Sequence, residues 1–439
     1  MKRLKRLMTA RRLSLGLILG SAALLYLSTV IPQQVEAAPG ALAAWRAGHR
    51  GLLWLVDLLR LHNIYAQPWF AALNLFAALS LALSSWDQFA AARRRLAADG
   101  SSAAELCAES VPLEKLYRAA RAHGYRPLAT AGAERVKCVK YPWGYFGNLL
   151  LHLGIALAIF ASSVVALTGR QGSLVLVEGE QREPQEPWLA SEAGALAAPL
   201  RLPGGLRLNR VRVGFDRLNQ ASEVTSELTL TEPGGRSVPL SAAINRIERY
   251  GNLRIYHSAQ YGDAFSLTLT GADGAAHTVK IAVQQPVSLA EAGYSDDLAT
   301  AWSPYLLSAK SFADVKGRSM TSGNPLVVLR LMNGAKEVAR TSLTLGATGT
   351  LGEYRVRLDG VEKWAKLIVV DLKGMEAVFA GFAVIILGGL IHYLMPPREL
   401  FGVREADGSY RVYWRTTAFG ECFAEERDRL AAALRKGQR

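Results

Sequence analysis

The chain has 439 residues, half of them hydrophobic, with 51 Lys and Arg against 37 Asp and Glu and only three cysteines. Its mean hydropathy is slightly positive, which excludes an ordinary water-soluble composition and points to several apolar segments beside a soluble part. The basic excess is concentrated in segments that alternate with the apolar runs, and no nucleic-acid-binding motif accompanies it.

Residues 1–12, "MKRLKRLMTARR", are basic and lead into the first apolar run, Leu13 to Ile31, long enough to cross a hydrocarbon core of about 30 Å. A cleaved signal peptide is the alternative, with Ala37-Ala38-Pro39 as its site. The length of the run and the lack of a small-x-small step directly after it favour retention. Between residues 32 and 68, Leu42, Trp45, Leu52, Leu53, Val56, Leu59 and Ile64 recur at near-helical spacing, as in an amphipathic helix on a membrane surface. A second span, 69–85, is short and contains Asn74, with Trp69 and Trp86 as interfacial anchors. The loop 86–146 is charge-mixed and ends in "KCVKYPWGYFGN".

The third span, 147–168, is "GNLLLHLGIALAIFASSVVALT". Residues 169–374 then change to period two ("SLVLVEGE", "LRLNRVRVGF", "FSLTLTGADG", "PLVVLRLMNG") with Gly, Asn and Asp turns. This predicts an antiparallel, sandwich-like β domain, with a less regular stretch at 287–322. A fourth span covers 375–395, and the tail 396–439 holds a hairpin pattern at "EADGSYRVYW" and a charged helix. The fold class is thus an integral membrane protein with four transmembrane α-helices and a large extracytoplasmic antiparallel β domain.

Charge sets the orientation. Segments 1–12, 86–146 and 396–439 hold 25 Lys and Arg against 13 Asp and Glu, while 32–68 and 169–374 hold 26 against 23. Positive residues near span ends mark the cytoplasmic side, so both termini are expected there and the β domain outside. All three cysteines, Cys107, Cys138 and Cys422, then face the cytoplasm. The outer domain has none, so it carries neither a disulfide nor a CxxC or CxxCH motif.

His152 is the sharpest candidate for chemistry, because ionisable groups at membrane depth are costly and face a protein interior or a pathway. It lies roughly 8 Å inside the third span at about 1.5 Å per residue. One reading is a neutral imidazole bonded to a neighbouring helix. The other is a metal or haem ligand, of which a single histidine supplies only one axial position. His392, near the end of the fourth span, suits snorkelling or the helix C-terminus. His62, His123, His257 and His277 have no metal-site spacing, and no phosphate loop or nucleophile elbow is present.

"NIYAQPWFAALNLFAALSLAL" (63–83), "GNLLLHLGIALAIFASSVVALTGRQGSLVLVEGE" (147–180), "YGNLRIYHSAQYG" (250–262), "NPLVVLRL" (324–331) and "LIVVDLKGMEAVFAGFAVIILGGLIHYLMPPREL" (367–400) resemble the ResB-like cytochrome c biogenesis proteins over about residues 10–400. The resemblance implies the system II cytochrome c maturation pathway, a partner of the CcsA or ResC type with a tryptophan-rich haem motif, thiol-reducing partners and an apocytochrome c client. It also implies haem b handled transiently as substrate, with His152 matching the family's proposed axial haem ligand at the start of the third span. A Tyr-Gln pair common in the family's outer domain is Tyr256-His257 here.

The resulting expectation is a haem-delivery subunit of a holocytochrome c synthase complex in a bacterial cytoplasmic membrane, incomplete without its partner. His152 is the expected haem ligand, with Glu178 and Glu180 at the membrane exit as secondary candidates. The rivals are a non-catalytic scaffold whose β domain binds a protein client and, less favoured, a sensor reporting to the tail.

Overall fold

In the computed structural model, residues 8, 10–35, 37, 41–97, 103–107, 109–128, 134–295, 297–321 and 323–435 are described. Residues 1–7 and the Ala38-Pro39 step of the alternative cleavage site lie outside them. Four helices carry the apolar runs: α1 (Arg11–Val30), α4 (Pro68–Ala97), α6 (Gly147–Thr168) and α7 (Met375–Leu394), each long and apolar enough to cross a membrane. Two short helices, α2 (Ala41–Gly48) and α3 (Leu53–Leu59), lie between α1 and α4, and α5 (Leu113–Ala122) and α8 (Ala424–Arg435) pack in one apolar cluster. The protein is a membrane protein with an antiparallel β domain, and its chain divides into two compact units.

The first unit comprises residues 1–22, 71–164 and 374–439. Its helices α6 and α7 pack through glycine. A Cβ added at Gly147 would lie 2.5 Å from the His392 backbone nitrogen, at Gly154 2.6 Å from that of Ile385, and at Gly388 2.3 Å from that of Leu151. Apolar association has no driving force among lipid tails, so close backbone approach supplies dispersion contacts instead. Polar side chains tie α1 to α4: the Ser14 and Ser80 hydroxyls lie 2.6 Å apart.

Beyond the helices, this unit contains a five-stranded sheet that neither of its contributing segments could make alone. The order is Ala104–Glu105, Tyr410–Thr416, Arg398–Arg404, Arg135–Lys140, Arg126–Leu128, so tail strands sit among strands of the loop that follows α4. One face packs with α5 and α8 around Leu116, Tyr125, Cys138, Leu400, Val412 and Leu430. The other carries a buried charge network. Lys137 Nζ lies 3.2 Å from Glu399 Oε1 and donates to the carbonyls of Arg95 and Leu96, which end α4. Glu399, fully buried, also accepts from Arg415 Nε at 2.6 Å and from the Tyr145 hydroxyl. Each ion thus has the partners that a buried charge requires.

The second unit comprises residues 23–70 and 165–373. Two strands of 18 residues, Leu253–Thr270 and Tyr354–Asp371, form its spine. Along one length they cover a core with Leu206, Leu208, Leu228 and Leu230; along the next, a core with Leu307, Leu329, Leu331 and Leu343. The expected sandwich is therefore two sandwich-like cores in series, each closed by its own smaller sheet. Strands that long need irregularities to follow two cores, and the register breaks between His257 and Tyr261 and between Ser266 and Leu267.

The stretch 287–322 contributes short strands, Gly293–Tyr294, Leu298–Ala299 and Leu306–Phe312. The domain's first strand, Arg170–Val177, pairs with its last, placing Arg170 opposite Asp371. Their side chains join through two hydrogen bonds of 2.9 and 2.8 Å. Gly374, at φ 89°, then turns the chain into α7. Ile31, Val56, Leu61, Ile64 and Phe70 pack as a separate cluster, and Lys366 Nζ donates to the Ala37 carbonyl at 2.6 Å.

Candidate functional site: an imidazole within α6

Helix α6 has three faces, which follow from about 100° per residue. Gly147, Leu151, Gly154 and Ala158 meet α7. Leu153, Leu157, Phe160 and Val164 are exposed, as a lipid-facing stripe should be. The third face runs through Asn148, His152, Ala156 and Ser163, and Ala156 and Ser163 are buried. Asn148 Nδ2 on this face donates to Gln88 Oε1 of α4 at 2.8 Å, so His152 lies one turn from a polar contact between helices.

The ring is half-buried, and its Nδ1 lies 2.9 Å from the Asn148 carbonyl. A carbonyl only accepts, so Nδ1 carries a proton, and in the neutral ring Nε2 is then the nitrogen with the lone pair. Nε2 has no hydrogen-bond partner among the described residues. An oriented imidazole with a free Nε2 is the donor that an iron or other soft-to-borderline metal centre takes, and the bond from Nδ1 is the outer support such ligands use. The site fits one axial bond to a haem iron and supplies no more than one.

His392 does not complete it. Its backbone meets α6 at Gly147, and His152 is turned about 140° from Gly147 around the helix. No group of three or more His, Cys, Asp or Glu side chains that could hold a metal ion occurs among the described residues.

Glu178 and Glu180 lie at the far end of the Arg170–Val177 strand, about 26 Å along the chain from α6 at 3.3 Å per residue. There Glu178 accepts from the backbone N–H groups of Val211 and Lys363, and Glu180 from that of Val177. They lock strands of the β domain together. His277 stacks on Trp302 with ring centres 4.9 Å apart, and His123 bonds the Ala119 carbonyl.

His257 is buried in the β domain at the register break. Its Nδ1 bonds the Ser258 carbonyl at 2.7 Å, its Nε2 is unpartnered, and burial pushes its pKa down. The β domain also bears an open cleft of about 570 Å³ floored by Trp364, Ile281 and Leu298 and edged by Tyr294, Lys280 and Asp297.

Two features escape sequence reasoning: the Gln88–Asn148 bond and the Lys137–Glu399 network. The one sequence signal for the first is the i, i+4 spacing of Asn148 and His152 in a span otherwise almost without polar residues.

The ResB-like family profile matches residues 11–417. The cytochrome c biogenesis protein CcsB of Synechococcus sp. (strain WH7803) is 26% identical over 414 residues, covering 90% of this chain and 89% of that protein. CcsB of Synechococcus sp. (strain CC9311) is 24% identical, with 92% and 90% covered, and that of Paulinella chromatophora is 20% identical, with 93% of each covered. Among solved structures, the cytochrome c haem lyase CcmF aligns over 80% of this chain and 44% of its own at 13% identity, with a TM-score of 0.25, too low to carry an argument. With the match running through all four membrane helices and the β domain, this chain belongs to the ResB-like family.

Proposed function

We propose that the chain acts in cytochrome c biogenesis as the ResB-type subunit of a membrane haem-delivery and cytochrome c synthase complex. It works with a CcsA/ResC-type polytopic haem protein, which supplies the second axial ligand. The complex passes haem outward across a bacterial cytoplasmic membrane for attachment to the CxxCH of an apocytochrome c. Thiol-reducing partners keep the client cysteines reduced. In this reading both termini are cytoplasmic, as the basic segments favour, and the β domain is extracytoplasmic.

The observation that carries the proposal is His152: half-buried inside a membrane helix, fixed in one tautomer by Asn148, with Nε2 open. Attachment adds each client thiol across a haem vinyl group: sulfur bonds one vinyl carbon and the proton goes to the other, with no net oxidation. Such chemistry depends mainly on positioning, which a single fixed axial bond begins. The β-domain cleft beside Trp364 favours a second, compatible role in holding a client segment.

The test is the visible spectrum of the full chain purified with its partner. A Soret band that is lost in His152→Ala and restored by added imidazole is expected. An unchanged band in the variant would overturn the ligand assignment.

A further inference from the structure

Resting on that reading, we propose that haem reaches His152 along a shelf formed by Trp86, Phe89 and Arg93 of α4 with Phe146, and that Arg93 binds a haem propionate. The three α4 residues recur at i, i+3 and i+7 and so form one stripe. Trp86 and Phe89 have ring centres 6.1 Å apart, and Phe89 and Phe146 are likewise 6.1 Å apart. The Arg93 guanidinium carbon lies 5.9 Å from the centre of the Phe89 ring. Trp86 is 66% exposed and Arg93 is exposed, so an apolar plane and a cation are open to a ligand along the same edge.

The spacing suits haem. Asn148 is one turn from His152, and it bonds Gln88, the residue before Phe89. From His152 to the level of Phe89 is therefore about 8 Å along the helix axes at 1.5 Å per residue. That is comparable with the reach from a haem iron to its propionate carboxylates. An iron held at Nε2 would leave its propionates near the cation stacked on Phe89.

Arg93 has no ion-pair partner among the described residues. It is not needed to end α4 either, because Lys137 takes the Arg95 and Leu96 carbonyls. Asp87 lies on a different face of α4, about 120° from Arg93.

An interfacial aromatic belt with a snorkelling arginine would account for the same residues without any ligand, and it predicts no sensitivity to the propionates. The experiment titrates the complex of full chain and partner with haem b and with haem dimethyl ester, whose propionates are uncharged, and reads the Soret band. Arg93→Gln is expected to weaken haem b binding about tenfold, as for the loss of one charge-assisted hydrogen bond, and to leave the diester unaffected. Arg93→Lys should retain most of the binding. Arg94→Gln, which removes the same charge from another face, should match wild type and controls for topology.

Equal affinity of Arg93→Gln and wild type for haem b, or equal losses for both haems, would overturn the inference. If the band still depends on His152 in that case, the haem-delivery reading survives. A wild-type complex without a His152-dependent band would overturn both.

Discussion

The sheet of the small α/β domain draws its strands from residues 104–140 and 398–416, whereas every strand of the β domain falls within residues 170–371. The first domain cannot form until α7 has been made and the tail has returned to the loop; the second is complete before α7 begins. Their polar interiors differ in the same way. The split domain joins its segments through a buried ion network, Lys137 and Arg415 on Glu399. The continuous domain has two large apolar cores, and its Arg170–Asp371 and Lys363–Asp263 pairs each keep the basic partner partly exposed. The network bridges segments distant in the chain, since Lys137 precedes α6 and Glu399 follows α7, and removing one partner would leave the other charge buried.

The split domain is most sensitive at Glu399. Glu399→Leu strands a buried ammonium and should cost about 3–5 kcal/mol, seen as a lower melting temperature in detergent. Lys137→Met with Glu399→Leu should recover a large part of that loss. A single variant as stable as wild type would mean that the network contributes nothing to stability.

The β domain should respond to acid through His257. Burial holds the folded-state pKa below the ordinary 6.5, so the unfolded chain binds more protons. Stability then rises with pH, and it falls as the pH drops below about 6.5 towards the lowered folded value. Melting curves at pH 7.5 and 5 should show a smaller difference in His257→Gln than in wild type. An equal difference would assign the acid sensitivity to other groups.

The smallest effect concerns the cysteines. Burial pushes the Cys138 thiol up to about 12 and raises Cys107 as well, whereas Cys422 is exposed. A maleimide should therefore label Cys422 alone in the folded chain, since the thiolate is the reactive form. Labelling of Cys138 under native conditions would show that the split domain opens.

The same contrast explains what sequence reasoning reaches. Apolar runs reveal α1, α6 and α7 because length and composition suffice. They also reveal α4, although its helix continues past the apolar stretch to Ala97 through "RRRLA". Alternation reveals the β domain because strands such as Ala221–Thr231 and the first half of Tyr354–Asp371 bury every second residue. The pairing of Arg398–Arg404 with Arg135–Lys140 leaves no such trace, since it joins segments more than 250 residues apart and each half reads only as a short hairpin or loop. His152 stands out from the sequence by its cost in a membrane span. Its tautomer and its link to Gln88 depend on where α4 passes α6, which no local pattern encodes.

The Arg170–Asp371 pairing also has a consequence for the order of biogenesis. Because the chain leaves and re-enters the β domain at neighbouring positions, residues 169–374 are a closed insertion in a hairpin of α6 and α7. During synthesis α6 must wait through that whole insertion before the glycines of α7 arrive, a contact of very long sequence separation. Until then, the α6 face bearing Gly147 and Gly154 stays uncovered, so the hairpin is a late step of assembly. The insertion itself can lengthen or shorten without moving the ends that the two helices require.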